Sequence, residues 1–413
     1  MGKIKLLSLF SGIGAFEKAL DRIEAEYKLI GYSEIDKYAS RSYAAIHNVA
    51  EQLNLGDIKK IDEKKLPKDI DLITYGFPCQ DISTAGKQRG FLDANGNQTR
   101  SGLFFDALRI IKATMPKVAI AENVKNLTGE KFKNEFKTVL TSLEEAGYNN
   151  YWEILNAKNY NVPQNRERVF VVSIRKNVDT GGFKFPESLP LKRKLKDVLE
   201  QEVEEKYYVS PTRLNGMVEH KTRNQKNGNG FGAVINDPDT QGVSPCIRAR
   251  YYKDGSESLI RVRQIANIMP TKTRDNPNQG RVYDTDGLSH ALNCSMGGGR
   301  QPFIVASRGR NPENPSDRTP GAPTVQRLEP NRQGICNTLT TTQKDNYVCE
   351  PPEMRVRRLT PKECFRLMDF DDEDFAKAQK VNSNTQLYKQ AGNSIVVACP
   401  MYIFKNLMNA KIL

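Results

Sequence analysis

Reactive and charge-bearing side chains recur just beyond apolar runs of this chain. Cys79 stands in GFPCQDIS (76–83), directly after IDLITYG (70–76), a run that reads as a buried strand. It therefore falls at the carboxyl end of a strand, where an α/β sheet carries its chemistry. An isolated cysteine is usually a small buried hydrophobe. Its position after Pro78 and ahead of the polar loop QDISTAGKQRG (80–90) speaks instead for a nucleophile. KVAIAEN (117–123) brings Glu122 and Asn123 to another strand end, and QNRERV (164–169) sets Arg166 and Arg168 directly before a further strand. A thiol, a carboxylic acid and a guanidinium on one rim are the parts of covalent catalysis with acid–base assistance. The alternative is a buried arginine–carboxylate pair with no catalytic meaning, which three such placements on successive strands disfavour.

A second group of residues suits a cofactor. In LFSGIGAF (9–16), Gly12 and Gly14 follow a first strand and precede a helix, which allows a tight turn and close approach of a ligand. Glu34, at the end of the next strand, can bind both hydroxyls of a ribose. The third glycine of the dinucleotide pattern is absent, because position 17 is Glu. That argues against NAD and for another adenosine cofactor.

The elements that must position these residues are legible as alternation. Runs of strand length at 4–10, 28–34, 70–76, 117–123, 151–157 and 169–175 alternate with amphipathic segments such as 103–114 and 132–147. This predicts a parallel sheet covered by helices on both faces. Beyond Arg175 a charged helical stretch is expected over 192–207, followed by a region rich in Gly, Asn, Thr and Pro with short β-like runs. Three segments there resemble one another, beginning at Gly242, Gly287 and Gly334, and read as repeated hairpin units. Helical periodicity returns in 361–370, and 386–408 reads as a glycine-broken turn followed by a long buried helix. The C-terminal part is expected to return to the first domain, giving domains at 1–185, 186–354 and 355–413.

With 62 Lys and Arg against 49 Asp and Glu, the chain carries a formal charge of +13. Between Lys206 and Lys344 there are 20 Lys and Arg against 11 Asp and Glu, so the excess is concentrated in the inserted region. Basic and aromatic residues share RARYYKDG (248–255), which points Arg248 and Arg250 toward a nucleic acid. The seven cysteines are odd in number and lack zinc-knuckle spacing, so no metal and no disulfide framework is expected. The N-terminal apolar run holds two glycines and leads into a charged helix, and no stretch approaches a membrane span. A soluble protein of the cytoplasm is the expectation.

The motifs FSGIGAFE, SEIDKYA, GDI, GFPCQDIS, ENVKNL, QNRERV and QAGNS, in this order, resemble those of the bacterial and phage DNA (cytosine-5) methyltransferases. The match covers about residues 4–175 and 355–405, and its specificity lies in seven motifs keeping order and spacing. It implies a Rossmann-like S-adenosylmethionine-dependent methyltransferase fold of α/β class, with a mainly β inserted target recognition domain. By the resemblance, Cys79 adds to C6 of cytosine, protonated Glu122 assists at N3, Arg166 holds the cytosine carbonyl and Arg168 supports Glu122 or the loop. Asn123 and Gln164 order the pocket. Phe10, Gly12, Ile13, Gly14, Glu34, Ile35, Asp57, Ile58, Pro78, Leu103, Asn393 and Ser394 form the S-adenosyl-L-methionine site, with Glu34 on the ribose and Asp57 on the adenine amine. Ile35 stands where many relatives carry an aromatic residue.

A duplex hides C6 in the base stack, so base flipping is implied. Gln80, Ser83, Lys87 and Arg89 of the following loop would then grip double-stranded DNA around the extruded base. The implied enzyme acts as a monomer without a membrane, in a bacterial cell or as a phage protein in its host. A cognate restriction endonuclease acting separately is its candidate partner. An RNA (tRNA) cytosine-5 methyltransferase, a DNA-binding protein without catalysis and, more distantly, a dehydrogenase are the competing readings.

Overall fold

The computed structural model describes residues 2–78, 82, 90–91, 96, 98–227, 232–238, 242–254, 258–267, 281–283, 289–290, 304–310, 325–331 and 354–413. Two compact units emerge. The first comprises Met1–Val198, Asp239–Glu257 and Pro361–Leu413, and the second Leu199–Pro238 and Ser258–Thr360. The division differs from the expected one at three places: 186–198 and 239–257 belong to the first unit, and 355–360 to the second.

In the first unit, β1 (Ile4–Leu9), β2 (Tyr27–Ser33), β3 (Leu72–Tyr75), β4 (Val118–Val124), β5 (Tyr148–Asn156) and β6 (Glu167–Arg175) form one sheet in the order β2-β1-β3-β4-β6-β5. All four residues of β3 are buried, as a strand covered on both faces requires. The helices are α1 (Ala15–Arg22), α2 (Lys37–His47), α3 (Phe104–Thr114) and α4 (Lys133–Glu145). Phe104, Ile110 and Ile111 of α3 and Val139 and Leu143 of α4 pack with Leu7, Leu9 and Ile73 in one apolar core.

The expectation of a parallel sheet holds for β1 to β4 and is corrected at β6. β1 to β4 pair in parallel, but β6 runs antiparallel to both β4 and β5. The physical reason lies in segment 157–166, which holds only a 3₁₀ turn at Ala157–Tyr160. A parallel return needs a crossover of about a dozen residues or more, usually a helix.

The predicted helix over 192–207, a stretch that runs from the end of the first unit's 1–198 segment into the second, is not formed. That stretch carries 3₁₀ turns at Leu195–Val198 and Glu205–Tyr207 and the short strand β7 (Glu202–Val203). The helix lies just beyond, at α5 (Pro211–Lys226), where the Ser210 hydroxyl accepts from Arg213 N and Pro211 occupies the first turn. Strand β8 (Ile235–Asn236) pairs in parallel with β9 (Leu259–Asn267), and β10 (Arg281–Tyr283) pairs antiparallel with β9. β11 (Ser289–His290) pairs in parallel with β7, and β12 (Ile304–Arg310) antiparallel with β13 (Val325–Asn331). β14 (Met354–Arg358) pairs antiparallel with β9. Ala233, Leu259 and Val356 make a small core with Leu214 and Met217 of α5 against it.

The first expected hairpin unit is a different structure. Residues 242–250 join no strand beyond a single bridge from Ser244 to Gln164, and α6 (Tyr251–Asp254) follows. Tyr251 is fully buried against the Tyr388 ring, at 5.5 Å, so it packs rather than offering a face for stacking. The unit beginning at Gly334 lies outside the described residues, as does most of the one beginning at Gly287.

The chain ends in α7 (Pro361–Leu367), α8 (Asp372–Val381), α9 (Asn384–Asn393) and α10 (Ala398–Asn409). What reads as a glycine-broken turn is thus mostly the helix α9. α10 lies on α1, with Phe16 and Phe404 edge to face at 6.2 Å. α9 is tied to α2, since Ser42 Oγ donates to Gln390 Oε1 at 2.8 Å and Gln390 Nε2 donates to Tyr38 O at 3.0 Å.

Candidate active site

One cavity of about 380 Å³ opens along the carboxyl ends of β1 to β4. Its first end is built by the turn after β1. Phe10, Gly12 and Gly14 all have positive φ, at 52°, 57° and 82°. Left-handed backbone at a residue as bulky as Phe10 is a strained choice that marks functional turns. A Cβ on Gly12 would meet nothing within 4 Å, so this side of the turn is open for a ligand. Gly14 is different: a Cβ there would collide with the His47 imidazole, whose Nε2 lies 3.1 Å from Ile13 O. Phe10, Gly12 and Ile13 line the cavity, while Gly14 supports the turn from behind.

Glu34 directly follows β2 with its carboxylate already oriented. Gly12 N donates to Oε2 at 2.9 Å and Asp36 N to Oε1 at 2.8 Å. Burial pushes its carboxyl above the usual range despite these bonds. A carboxylate has about four lone-pair sites, so two remain for a ligand's hydroxyls. Asp57, with Oδ1 accepting from Lys59 N at 3.1 Å, and Ile58 face the same space. Ile35, 76% exposed, offers an apolar floor. Pro78, Leu103, Asn393 and Ser394 complete the lining. Lys389 Nζ pairs with Asp36 Oδ2 at 2.6 Å at this rim, and burial of Asp36 is more than offset by that partner, which holds its carboxyl below the usual range.

The second end is lined by Glu122, Arg166 and Arg168. The β4–β6 register sets Val124 opposite Arg168 and Glu122 opposite Phe170. Glu122 and Arg168 are therefore diagonal neighbours on one face, and Arg168 Nε lies 3.0 Å from Glu122 Oε1. Because β6 is antiparallel, its beginning lies at the edge where β3 and β4 end. In a parallel sheet, residues preceding a strand would sit at the opposite edge. Burial pushes the Glu122 carboxyl up, with the charges of Arg168 and Arg166 only partly offsetting it.

The two arginines differ from expectation. Arg166, 3% exposed, commits Nη1 to Cys246 Sγ at 3.2 Å and Ile247 O at 2.8 Å, and Nη2 to Gly392 O at 3.1 Å and Ser394 O at 2.5 Å. It cannot hold a substrate carbonyl with those nitrogens without breaking these bonds. Arg166 therefore braces the pocket wall, and Arg168 is the cation beside Glu122. Gln164, wholly buried, does not line the cavity. Its Nε2 donates to Leu367 O at 2.7 Å and its Oε1 accepts from Ile247 N at 3.1 Å, which ties α7 to segment 244–250. Gly392 lies so close beneath Arg248 and Ala249 that a Cβ would collide with their backbone.

Asn123 Nδ2 donates to Phe77 O at 3.0 Å, and Asn126 Nδ2 to Ile82 O. The chain is thus pinned on both sides of the expected nucleophile. Cys79 itself lies outside the described residues, as do Gln80, Ser83, Lys87 and Arg89. Arg248 is partly buried and Arg250 exposed, and neither lines the cavity.

Sequence reasoning missed His47, Asn54, Cys246 and Lys389. Asn54 carries a weak signal, since Asn before Leu-Gly-Asp suits an Asx turn. The others depend on long-range packing that no local pattern encodes. No helix among the described residues is long and apolar enough to cross a membrane.

A family model described as C-5 cytosine-specific DNA methylase matches residues 4–409. The chain is 35% identical to the orphan methyltransferase M.SPRI of Bacillus phage SPR, across 100% of this chain and 99% of that protein. It is 42% identical to the type II methyltransferase M1.ScrFI of Lactococcus lactis subsp. cremoris, across 62% of this chain and 64% of that one. Among solved structures, the Entamoeba histolytica methyltransferase EhMeth superposes with a TM-score of 0.61 at 15% identity, covering 99% of both chains. The S. pombe Dnmt2 methyltransferase gives 0.56 at 18% identity, covering 98% of this chain and 99% of that one. At such identities these two likenesses concern the fold alone.

Proposed function

Because this chain belongs to the C-5 cytosine-specific DNA methylase family, we propose that it methylates C5 of a cytosine within a specific sequence of duplex DNA, using S-adenosyl-L-methionine. The observation that carries the reading is the single cavity joining two kinds of chemistry. One end has the glycine turn, Glu34 and Asp57, and the other has Glu122 beside Arg168. The first end fits the cofactor: Glu34 retains lone pairs for ribose hydroxyls, Asp57 suits an adenine amine, Ile35 underlies the ring, and the space beside Gly12 is open. The bound cofactor supplies an electrophilic methyl group.

C5 of cytosine is too electron-poor to take that methyl group unaided. Addition of the Cys79 thiolate at C6 makes C5 nucleophilic, dividing one hard step into two easier ones. Loss of the C5 proton and departure of the thiolate then restore the ring. Glu122, whose carboxyl burial pushes up, donates from its protonated form at N3 as the thiolate adds. Arg168 sits beside Glu122 to face the base carbonyl. Arg166, Gln164 and Asn123 hold the walls and the nucleophile's loop in place. The target base must be flipped out of the stack to reach such a cavity. Residues of the 80–90 loop, with Arg248 and Arg250, contact the phosphates in this scheme. No partner endonuclease is required; the full-length relative from phage SPR is named an orphan methyltransferase.

The test is methyl transfer from labelled S-adenosylmethionine to duplex DNA and to tRNA, followed by bisulfite sequencing of the DNA. The expected result is 5-methylcytosine at one or a few recurring duplex sequences, abolished by Cys79→Ser with DNA binding retained. Methylation of tRNA alone, or undiminished DNA methylation by Cys79→Ser, would overturn the proposal.

A further inference from the structure

Asn54 lies between α2 and the turn that presents Asp57, and its amide is fully engaged. Oδ1 accepts from Glu34 N at 3.0 Å and from Gly56 N at 2.9 Å. Nδ2 donates to Glu34 O at 2.9 Å and to Ser40 Oγ at 2.9 Å. Two lone pairs and two N–H groups are the whole capacity of a primary amide. One side chain thus grips both main-chain polar groups of Glu34 and the backbone immediately before Asp57.

Neighbouring bonds close the same seam. Leu55 N donates to Tyr32 O at 2.6 Å, and Ser33 Oγ donates to Gly56 O at 2.7 Å. Ser40 Oγ, which accepts from Asn54, is also 3.1 Å from Tyr32 Oη, and this joins the seam to the start of α2. The Glu34 carboxylate is meanwhile held by Gly12 N and Asp36 N. With both the backbone and the carboxylate of Glu34 fixed, the freedom left in this end of the cavity is the position of the Gly56–Asp57 turn. Asn54 removes it.

We propose that Asn54 is the positioning residue that sets the spacing between Glu34 and Asp57, and thereby the selectivity of the site for an adenosine that carries both a ribose diol and an exocyclic amine. The inference rests on the assignment of these two carboxylates to the cofactor. No other residue type fills this role at the same size. Asp lacks the two donors and would bring a second negative charge beside Glu34, and Leu lacks both functions.

Calorimetric binding to the full-length protein tests this with S-adenosylhomocysteine and two analogues. One carries inosine in place of adenosine, and the other lacks the ribose 2′-hydroxyl. Wild-type protein is expected to prefer the parent compound by about tenfold or more over each analogue, the effect of leaving buried polar groups unpaired. Asn54→Ala is expected to lose about 10- to 100-fold in affinity for the parent. It is also expected to bind all three compounds within about threefold of one another, while turnover at saturating cofactor stays within about threefold of wild type. Asn54→Asp keeps the side-chain volume and the acceptor, and an intermediate loss of discrimination is expected. It also serves if the alanine variant folds poorly. An equal loss for all three compounds with the wild-type ratios preserved, or no loss, would overturn the inference. Failure of the wild-type arm to bind any of the three would overturn the cofactor assignment, and this inference with it.

Discussion

Glu122 Oε1 and Arg168 Nε lie 3.0 Å apart, brought together diagonally by two antiparallel strands, yet burial still pushes the Glu122 carboxyl above its ordinary range. Desolvation outweighs the nearby positive charge, so this carboxyl holds its proton to a higher pH than a surface carboxyl does. Glu122→Gln keeps a neutral donor but cannot release a proton, and a fall of about 100- to 10,000-fold in methyl transfer is expected. Wild-type activity should decline as pH rises through the folded-state pKa of Glu122. Stability follows the same sign, since a raised folded-state value favours the native state at low pH and the contribution fades through that range. A pH–rate profile and thermal melts of both proteins check this. An unchanged alkaline limb in Glu122→Gln would remove the acid from the mechanism.

Arg166 and Arg168 should separate cleanly in experiment. Arg166→Ala would leave three backbone carbonyls and a thiol without their donor, and each buried acceptor left unpaired costs about 1–3 kcal/mol. Arg168→Ala, at the cavity surface, should lower turnover with a much smaller change in melting temperature. Equal destabilisation by the two changes would contradict the division of roles drawn from their hydrogen bonds.

The sheet and most of the cavity lining are legible from local pattern, because buried strands are apolar runs and the residues that follow them must stand at the sheet edge. Direction is not legible in this way. Residues 167–175 have the same texture whether β6 runs with β4 or against it, and only the missing crossover helix in 157–166 hints at the answer. The exchange of roles between Arg166 and Arg168 follows from that direction and from segment 244–250, which arrives from 80 residues away in sequence to take up Arg166. The helix misplaced at 192–207 shows charge periodicity outvoting a start signal: Ser210-Pro211 marks the true N-terminus of α5. Tyr251 stands in the basic and aromatic stretch 248–255 that points to a nucleic acid, but it packs on Tyr388, because aromatic residues fill cores and bind bases with the same surface.

Gly14 and His47 form a pair testable by a mutant cycle. Gly14→Ala places a Cβ against the imidazole and a side chain at φ 82°, so a loss of about 1–3 kcal/mol and weaker cofactor binding are expected. Adding His47→Ala removes the collision and leaves the backbone strain, so the double variant should recover part of the loss. Melting temperatures and cofactor affinities of the four proteins measure the coupling. Strict additivity would mean that the imidazole does not limit this turn.

Cys246 is the described thiol with unusual chemistry. Burial alone would raise its pKa, but the charges of Arg166 and Arg168 more than offset this and hold it below the ordinary thiol range, with Arg166 Nη1 at 3.2 Å. Cys364 and Cys399 are buried, and burial pushes Cys399 well up. Thiolate fraction and access together govern alkylation. Timed treatment with iodoacetamide, followed by peptide mass spectrometry, should therefore modify Cys246 ahead of Cys364 and Cys399. Its rate should fall less steeply between pH 9 and pH 7 than that of a free peptide thiol, since a lowered pKa keeps more thiolate at neutral pH. Cys246→Ser retains an acceptor for Arg166 and should leave the melting temperature close to wild type. A pH dependence equal to that of the peptide thiol would show that the two guanidinium charges do not act on this sulfur.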